Sequence, residues 1–225
     1  MPPAEGSEPG DPAESRGTPT NKRPGAASGG FRPLGQRERL DAGFFTVVTG
    51  TFVGPDGFTF ERDVVRHPGA VGVVALEGDG QSVLMISQYR GAVDRLLLEI
   101  PAGKRDVAGE APEVCAAREL AEEAGVTASS LVEIARFYNS PGFCDEETIV
   151  YLAEGLTEVG RQAHGVEEEH LRVTRVFLVD VEELMGRGEL VDAKSIVGLF
   201  AARSLLRARR RAEQATATDP LAPRQ

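Results

Sequence analysis

The chain has little cysteine, little histidine and no long apolar run. Its 225 residues include three histidines, no tryptophan and two cysteines, Cys115 and Cys144. Two cysteines form no disulfide framework, and nothing around them suggests a zinc cluster. No segment approaches the roughly 20 apolar residues of a membrane span, and the N-terminus lacks the apolar core of a signal peptide. We therefore expect a cytoplasmic protein that does not bind membranes.

Positive charge is also scarce relative to negative charge. Lys and Arg number 25 against 35 Asp and Glu, which gives a net charge of −10 at pH 7. This balance argues against a general attraction to nucleic acid or to an anionic membrane. An acidic protein that acts on an anionic phosphate substrate needs cations, and a divalent metal ion would supply them.

The two ends of the chain differ in composition from its middle. Residues 1–36 are rich in Pro, Gly, Ser and charge, with almost nothing apolar before Phe31. Such a segment cannot bury enough apolar surface to offset the entropy of ordering it, so we predict a disordered tail. Residues 215–225 have the same character. The remaining residues, 37–214, are predicted to form one domain.

Strand and helix patterns alternate irregularly within this domain. β-type residues favour strands at 44–52, 58–66, 71–76, 82–88, 96–100, 131–137, 148–153 and 172–179, with turn signals such as Gly54-Pro55-Asp56-Gly57 between them. Helical patterns cover 112–124, 181–187 and 192–214. This irregular mixture predicts an α/β or α+β sandwich rather than regular βαβ repeats.

The helix pattern that ends at Gly125 gathers three carboxylates. Pro112 suits its first turn and Gly125 its C-terminal cap. Glu119, Glu122 and Glu123 share one face at spacings i, i+3 and i+4, opposite the apolar residues. Their mutual repulsion would be relieved by a divalent cation, and carboxylate oxygens suit Mg²⁺. Taken alone, however, such a cluster more often forms a solvated charged surface.

The residues around these glutamates favour the functional interpretation. The chain resembles the signature box of the Nudix hydrolases at Glu110, Arg118, Glu119, Leu120, Glu122, Glu123, Gly125 and Val126. The match is complete from Glu110 onward, whereas one extra residue separates Gly103 from Glu110, in a loop where added length is cheap. The resemblance implies a Nudix α/β/α sandwich with a mixed sheet and an extra N-terminal antiparallel strand region.

The resemblance also implies roles for the box residues. Glu119 and Glu123 would be the principal metal ligands, Glu122 a further ligand or a supporting catalytic group, and the backbone carbonyl of Ala102 would complete the site. Mg²⁺ is the expected ion, with Mn²⁺ as the alternative. Arg118 would position the carboxylates through salt bridges. Metal ions held in this way neutralise diphosphate oxygens and orient a water for attack on phosphorus.

Segments outside the box resemble the ADP-ribose pyrophosphatase branch of the family. They are Glu61–Val71, Gln88–Arg90, Glu99–Gly103 and Pro141–Phe143 with Asp145 and Glu146. The resemblance implies hydrolysis of ADP-ribose to AMP and ribose 5-phosphate. It makes four residues candidate substrate contacts: Arg66, Arg90, Glu99 and Phe143. Arg90 as an ordinary surface arginine, Glu99 as an edge-strand charge and Phe143 as a packing residue remain the alternatives.

A second acidic run, Glu167-Glu168-Glu169, lies between the last two predicted strands. A solvated acidic loop is its ordinary interpretation. In this branch, however, a loop at this place supplies a catalytic glutamate to the metal site. By alignment of the strand that follows, Glu167 is the candidate general base and Glu169 an additional metal ligand, while Glu168 competes for either role.

The sequence also predicts a state of assembly and leaves two alternative functions open. The strands between Phe44 and Arg66 resemble those that swap between protomers in this branch, so a homodimer is expected. One rival is a Nudix hydrolase of another nucleoside diphosphate sugar or of a dinucleotide. The other is a non-catalytic, ADP-ribose-binding sensor, which the complete set of box carboxylates disfavours.

Overall fold

The computed structural model describes residues 29–160 and 171–217. Within these ranges the chain forms ten strands and three α-helices. The strands are β1 Arg32–Asp41, β2 Thr46–Val53, β3 Thr59–Arg66, β4 Ala70–Leu76, β5 Ser82–Arg90, β6 Arg95–Glu99, β7 Ala102–Lys104, β8 Val126–Tyr138, β9 Glu147–Glu158 and β10 Arg172–Phe177. The helices are α1 Pro112–Ala124, α2 Val181–Gly186 and α3 Ala193–Ala217, and a single 3₁₀ turn, Leu178–Asp180, precedes α2.

A seven-stranded mixed sheet forms the centre of the fold. Its main path runs β10-β5-β4-β9-β8, with β6 paired to β5 and β7 paired to β4. The β4–β9 pair is parallel, whereas the other pairs in this sheet are antiparallel. β7 therefore lies beside the start of β4, directly before the loop that leads to α1.

Helices cover both faces of this sheet, because alternate residues of a strand point to opposite sides. Val71 and Val73 of β4 pack with Leu120 of α1. Val74, the residue after Val73 in β4, packs on the other face with Leu199 of α3. The two buried clusters make an α/β/α sandwich, and the fold predicted from the sequence is confirmed. None of the helices in the described ranges is long and apolar enough to cross a membrane.

A separate antiparallel sheet, in the order β1-β2-β3, precedes the central one. Val65 of β3 pairs with Cys144, in the connection between β8 and β9, and this pairing fastens the small sheet to the domain. Every residue of β1 is exposed. β1 begins at Arg32, so the tail boundary expected at residue 36 falls inside a strand. Because β1 buries no side chain, its sequence lacks the apolar alternation that indicates a strand.

Other element ends also differ from the sequence-based expectations. α3 extends to Ala217, beyond the end expected at residue 214. β7 has three residues, too few for a periodic pattern to reveal it. The remaining parts of the two expected tails, 1–28 and 218–225, lie outside the described residues.

Candidate active site

α1 begins and ends as its sequence dictates. Ala111 has an extended backbone before Pro112, and Gly125 ends the helix in the left-handed conformation with φ of 70°. The Gly125 N–H donates to the carbonyl of Ala121 at 3.1 Å, which satisfies one carbonyl of the last turn. The apolar face of α1 packs on the central sheet through Leu120. The glutamates of the box therefore lie on the side and end of the helix that face the β7 loop.

Arg118 bonds to three carboxylates at once. Its Nε and Nη2 donate to the two oxygens of Glu110 at 3.1 and 3.2 Å. Its Nη1 donates to Glu119 at 2.8 Å and to Glu122 at 3.0 Å. One guanidinium thus offsets the repulsion between neighbouring glutamates and ties the loop before α1 to the helix.

These contacts shift the ionisation of the groups involved. Hydrogen bonding to Arg118 lowers the pKa of Glu110, and hydrogen bonding to Glu110 raises the pKa of Arg118. Burial raises the pKa of the Cys115 thiol to about 12. Glu110 and Arg118 are therefore a charged pair at neutral pH, whereas Cys115 stays a protonated thiol without nucleophilic character.

β7 lies directly against two of the box carboxylates. Glu123 is buried, and its Oε2 accepts a hydrogen bond from the Ala102 N–H at 2.8 Å. A Cβ atom at Gly103 would lie 1.9 Å from the carboxyl carbon of Glu119. Only glycine therefore leaves room for Glu119 in its present position, which explains the glycine at the start of the box loop.

The chemistry of this donor set fits a hard divalent cation. Three carboxylates and the peptide group of Ala102 lie around one turn of α1 and the adjoining β7, and oxygen ligands are those that Mg²⁺ prefers. In the described ranges, no three His, Cys, Asp or Glu side chains are arranged so that together they could hold a metal ion. Glu119 and Glu122 point to Arg118 instead, and Glu123 points to the backbone of Ala102.

Arg90 and Glu99 form a second charged group at the ends of β5 and β6. Arg90 Nε and Nη2 donate to the two Glu99 oxygens at 2.8 and 2.7 Å. Lys194, at the start of α3, bonds to the same carboxylate. Glu99 is 1% exposed, so the alternative of a solvated edge-strand charge is wrong. The Arg90 side chain retains 36% exposure, and its pairing with Glu99 distinguishes it from an ordinary surface arginine.

The other expected substrate contacts lie near the junction between the two sheets. Arg66 donates to Asp145 Oδ2 at 3.0 Å and through Nε and Nη2 to the Gln36 side chain of β1 at 3.2 and 3.0 Å. Phe143 is 59% exposed, and its carbonyl accepts a hydrogen bond from the Val65 N–H at 2.7 Å. The structure therefore places Arg66 and Phe143 near each other, in a hydrogen-bonded group that is separate from the Arg118 cluster. Glu167 and Glu169 lie outside the described residues.

Sequence reasoning did not identify Lys194 and Asp192 as parts of the site. Lys194 Nζ lies 3.1 Å from Asp192 Oδ1 in addition to its bond to Glu99. The only signal was two charged residues at the predicted start of a helix, a place where polar residues are common for capping alone.

Comparisons with known proteins point to one family. The NUDIX domain family matches residues 66–197. The ADP-ribose pyrophosphatase of Bacillus subtilis (strain 168) is 43% identical over 141 residues, which are 63% of this chain and 75% of that protein. The ADP-ribose pyrophosphatase of Mycobacterium tuberculosis (strain ATCC 25618 / H37Rv) is 41% identical over 151 residues, 67% of this chain and 72% of that protein.

A solved structure shares the fold. The crystal structure of an ADP compounds hydrolase superposes with a TM-score of 0.69 at 23% sequence identity, covering 80% of this chain and 96% of that one. The family match spans more than half of the chain and includes the whole of α1 with its carboxylates. The chain therefore belongs to the NUDIX domain family.

Proposed function

We propose that the protein is a Mg²⁺-dependent hydrolase that cleaves the diphosphate of ADP-ribose to AMP and ribose 5-phosphate. The observation that carries the proposal is the cluster of Glu110, Glu119 and Glu122 around Arg118, beside Glu123 and β7. The two relatives described above, each more than 40% identical, are named ADP-ribose pyrophosphatases. That similarity favours ADP-ribose over other diphosphates.

Glu119, Glu123, Glu122 and the carbonyl of Ala102 would hold the divalent ion. When bound, Mg²⁺ (or Mn²⁺) would neutralise diphosphate oxygens and acidify a water. Arg118 donates hydrogen bonds to Glu119 and Glu122 and so directs both carboxylates to one side of α1. Gly103 allows the β7 backbone to approach Glu119, so that the peptide group of Ala102 lies beside the carboxylates of α1.

The reaction is a substitution at phosphorus. The oxygen of water forms a bond to one phosphorus, the bond from that phosphorus to the bridging oxygen breaks, and the bridging oxygen leaves with the other phosphate. The water proton passes to a general base, for which Glu167 is the candidate, with Glu168 as its competitor. Glu169 is the candidate additional metal ligand. Both roles need a carboxylate that is ionised at neutral pH.

Substrate recognition is proposed for three exposed or partly exposed side chains. Arg90 offers a planar fork of donors that suits phosphate oxygens. Arg66 offers a second cation, and Phe143 an exposed ring that can stack on a base. Together they recognise a nucleoside diphosphate through its charge and its base.

We also propose a homodimer in which the N-terminal strands pack against a second copy. β1 is exposed along its whole length, and Leu34 and Leu40 within it are 53% and 54% exposed. Phe58, next to β3, is 76% exposed. A long exposed strand with apolar side chains favours pairing with another chain.

Anion-exchange chromatography of the products tests the activity. Purified protein is incubated with Mg²⁺ and ADP-ribose, and other nucleotide sugars and dinucleotides are assayed beside it. We expect AMP and ribose 5-phosphate in equal amounts, formed faster than the products of the other diphosphates. Chelation of the metal ion or the Glu123→Gln substitution should abolish both products.

Glu113→Gln is the matched control, because Glu113 lies in the first turn of α1, is exposed and is not one of the residues that define the box. This variant should keep wild-type activity. Faster turnover of another diphosphate would refute the substrate proposal and keep the hydrolase. Tight binding of ADP-ribose without turnover of any diphosphate would instead support a sensor.

A further inference from the structure

A group of four charged residues joins the start of α3 to the end of β6. The carboxylates of Glu99 and Asp192 alternate with the cations of Arg90 and Lys194, and the bonds run Arg90–Glu99–Lys194–Asp192. We propose that Lys194 and Glu99 are positioning residues that hold the Arg90 guanidinium where it binds a phosphate of the substrate. This inference rests on the proposed function, since it concerns how Arg90 recognises the diphosphate.

Within this group of four residues, the exposed fraction of the side chain is highest at Arg90 and lowest at Glu99. The Arg90 side chain is 36% exposed, the Lys194 side chain 13% and Glu99 1%. Both Glu99 oxygens bond to Arg90, and one of them also bonds to Lys194. Glu99 therefore has no face turned to solvent from which it could contact a nucleotide, whereas Arg90 reaches the surface.

The position of Lys194 is fixed by its neighbours. Asp192 Oδ2 accepts hydrogen bonds from the Ser195 N–H at 2.9 Å and from Ser195 Oγ at 2.6 Å, as a cap of α3. Ser195 Oγ in turn accepts the Ile100 N–H at 2.8 Å. Since Ile100 directly follows Glu99, these hydrogen bonds tie the start of α3 to the end of β6.

The charges show why Lys194 matters for Arg90. Burial raises the pKa of Glu99, but its hydrogen bond to Arg90 and the charge of Lys194 outweigh that effect and lower it overall, so Glu99 is ionised. The Arg90 charge also interacts with Glu123 of the box and with Asp192. Without Lys194, Arg90 would be the one remaining cation in this group for two carboxylates. The guanidinium would then be drawn toward them and away from the substrate.

A matched set of variants tests this role in ADP-ribose hydrolysis. Lys194→Met removes the charge and keeps the length of the side chain, and Lys194→Arg keeps the charge. We expect Lys194→Met to raise KM about tenfold or more, because a charged hydrogen-bond partner is lost, while kcat stays within about twofold. Lys194→Arg should restore most of the wild-type KM. Arg187→Met, which removes an exposed cation from its pair with Glu183 near the end of α2, is the control and should change neither parameter.

The split between KM and kcat separates positioning from folding. A variant that is partly unfolded has less active enzyme, which lowers apparent kcat and leaves KM unchanged. Lowered kcat with a wild-type KM in Lys194→Met would therefore overturn the inference. This comparison stays decisive even for a poorly folded variant, since KM is measured on the folded fraction.

A double-mutant cycle with Glu99→Gln tests whether Lys194 acts through Glu99. If it does, Glu99→Gln/Lys194→Met should have the KM of Glu99→Gln alone, because the second change removes an interaction already lost. If the two increases in KM multiply instead, Lys194 acts independently of Glu99, and the positioning role is refuted. If the wild-type protein prefers another diphosphate, the substrate proposal fails, and the same comparison with that diphosphate still decides the role of Lys194.

Discussion

Gly103→Ala is the substitution whose effect follows most directly from the structure. A Cβ atom at residue 103 would lie 1.9 Å from both the carboxyl carbon and Oε1 of Glu119. Ordinary contact begins at 3.4 Å, so the carboxyl group must retreat from 1.9 to at least 3.4 Å, by about 1.5 Å. Gly103 itself has no positive φ, so alanine meets no backbone strain at this position.

The displaced atoms are the end of a flexible side chain, so the cost in stability is small. Replacement of glycine by alanine in a compatible conformation also stabilises a protein by about 0.4–1 kcal/mol through the unfolded state. We expect the melting temperature of Gly103→Ala to stay within about 4 °C of wild type. A displacement of about 1 Å in a catalytic group can cost roughly a hundredfold in rate, so kcat should fall by about that factor.

The assay is hydrolysis of ADP-ribose over a range of Mg²⁺ concentrations, with thermal unfolding measured on the same samples. Higher Mg²⁺ should be needed for half-maximal rate, because Glu119 is the proposed ligand that moves. Gly186→Ala is the control: an added Cβ there meets no atom within 4 Å, and its φ is not positive. Wild-type kcat and Mg²⁺ dependence in Gly103→Ala would refute the proposed role of Glu119.

Three further predictions follow from the Arg118 cluster and from the free thiols. Arg118→Ala should lower kcat about a hundredfold or more. Arg118→Lys should lower kcat nearly as much, because a lysine cannot bond to three carboxylates. Initial rates at saturating substrate measure both effects, with Glu113→Gln as the control. The pKa of Glu110 is lower in the folded protein than its ordinary 4.5, so the stability that Glu110 contributes is complete above pH 4.5 and is lost as pH falls through the depressed pKa. Glu110→Gln should remove this pH-dependent part of the free energy of unfolding, measured below about pH 5. A pH dependence of stability equal to that of wild type would contradict the pairing with Arg118. Cys115 is buried with a pKa of about 12, so a thiol reagent at pH 8 should modify native protein at Cys144 first, and equal labelling of Cys115→Ser and wild type would bear this out.

The central part of the fold could be predicted because its signals are local. The apolar run of β4 is buried throughout, and the pattern of α1 gave both of its ends. β1 could not be predicted, because no residue of it is buried in the single chain and its sequence therefore resembles a polar tail.

The same distinction between local and distant contacts separates what was predictable in the site. The box glutamates converge because i, i+3 and i+4 positions of one helix lie on one side, which needs only the helical period. Glu99 and Lys194 are 95 positions apart and meet only because the end of β6 lies against the start of α3. Sequence alone therefore left Glu99 with two roles, a substrate contact or a solvated charge, both of which assume exposure. The burial of Glu99 between two cations favours a third role, in which Glu99 acts on the substrate only through Arg90. The KM of the double variant Glu99→Gln/Lys194→Met distinguishes this third role from the other two.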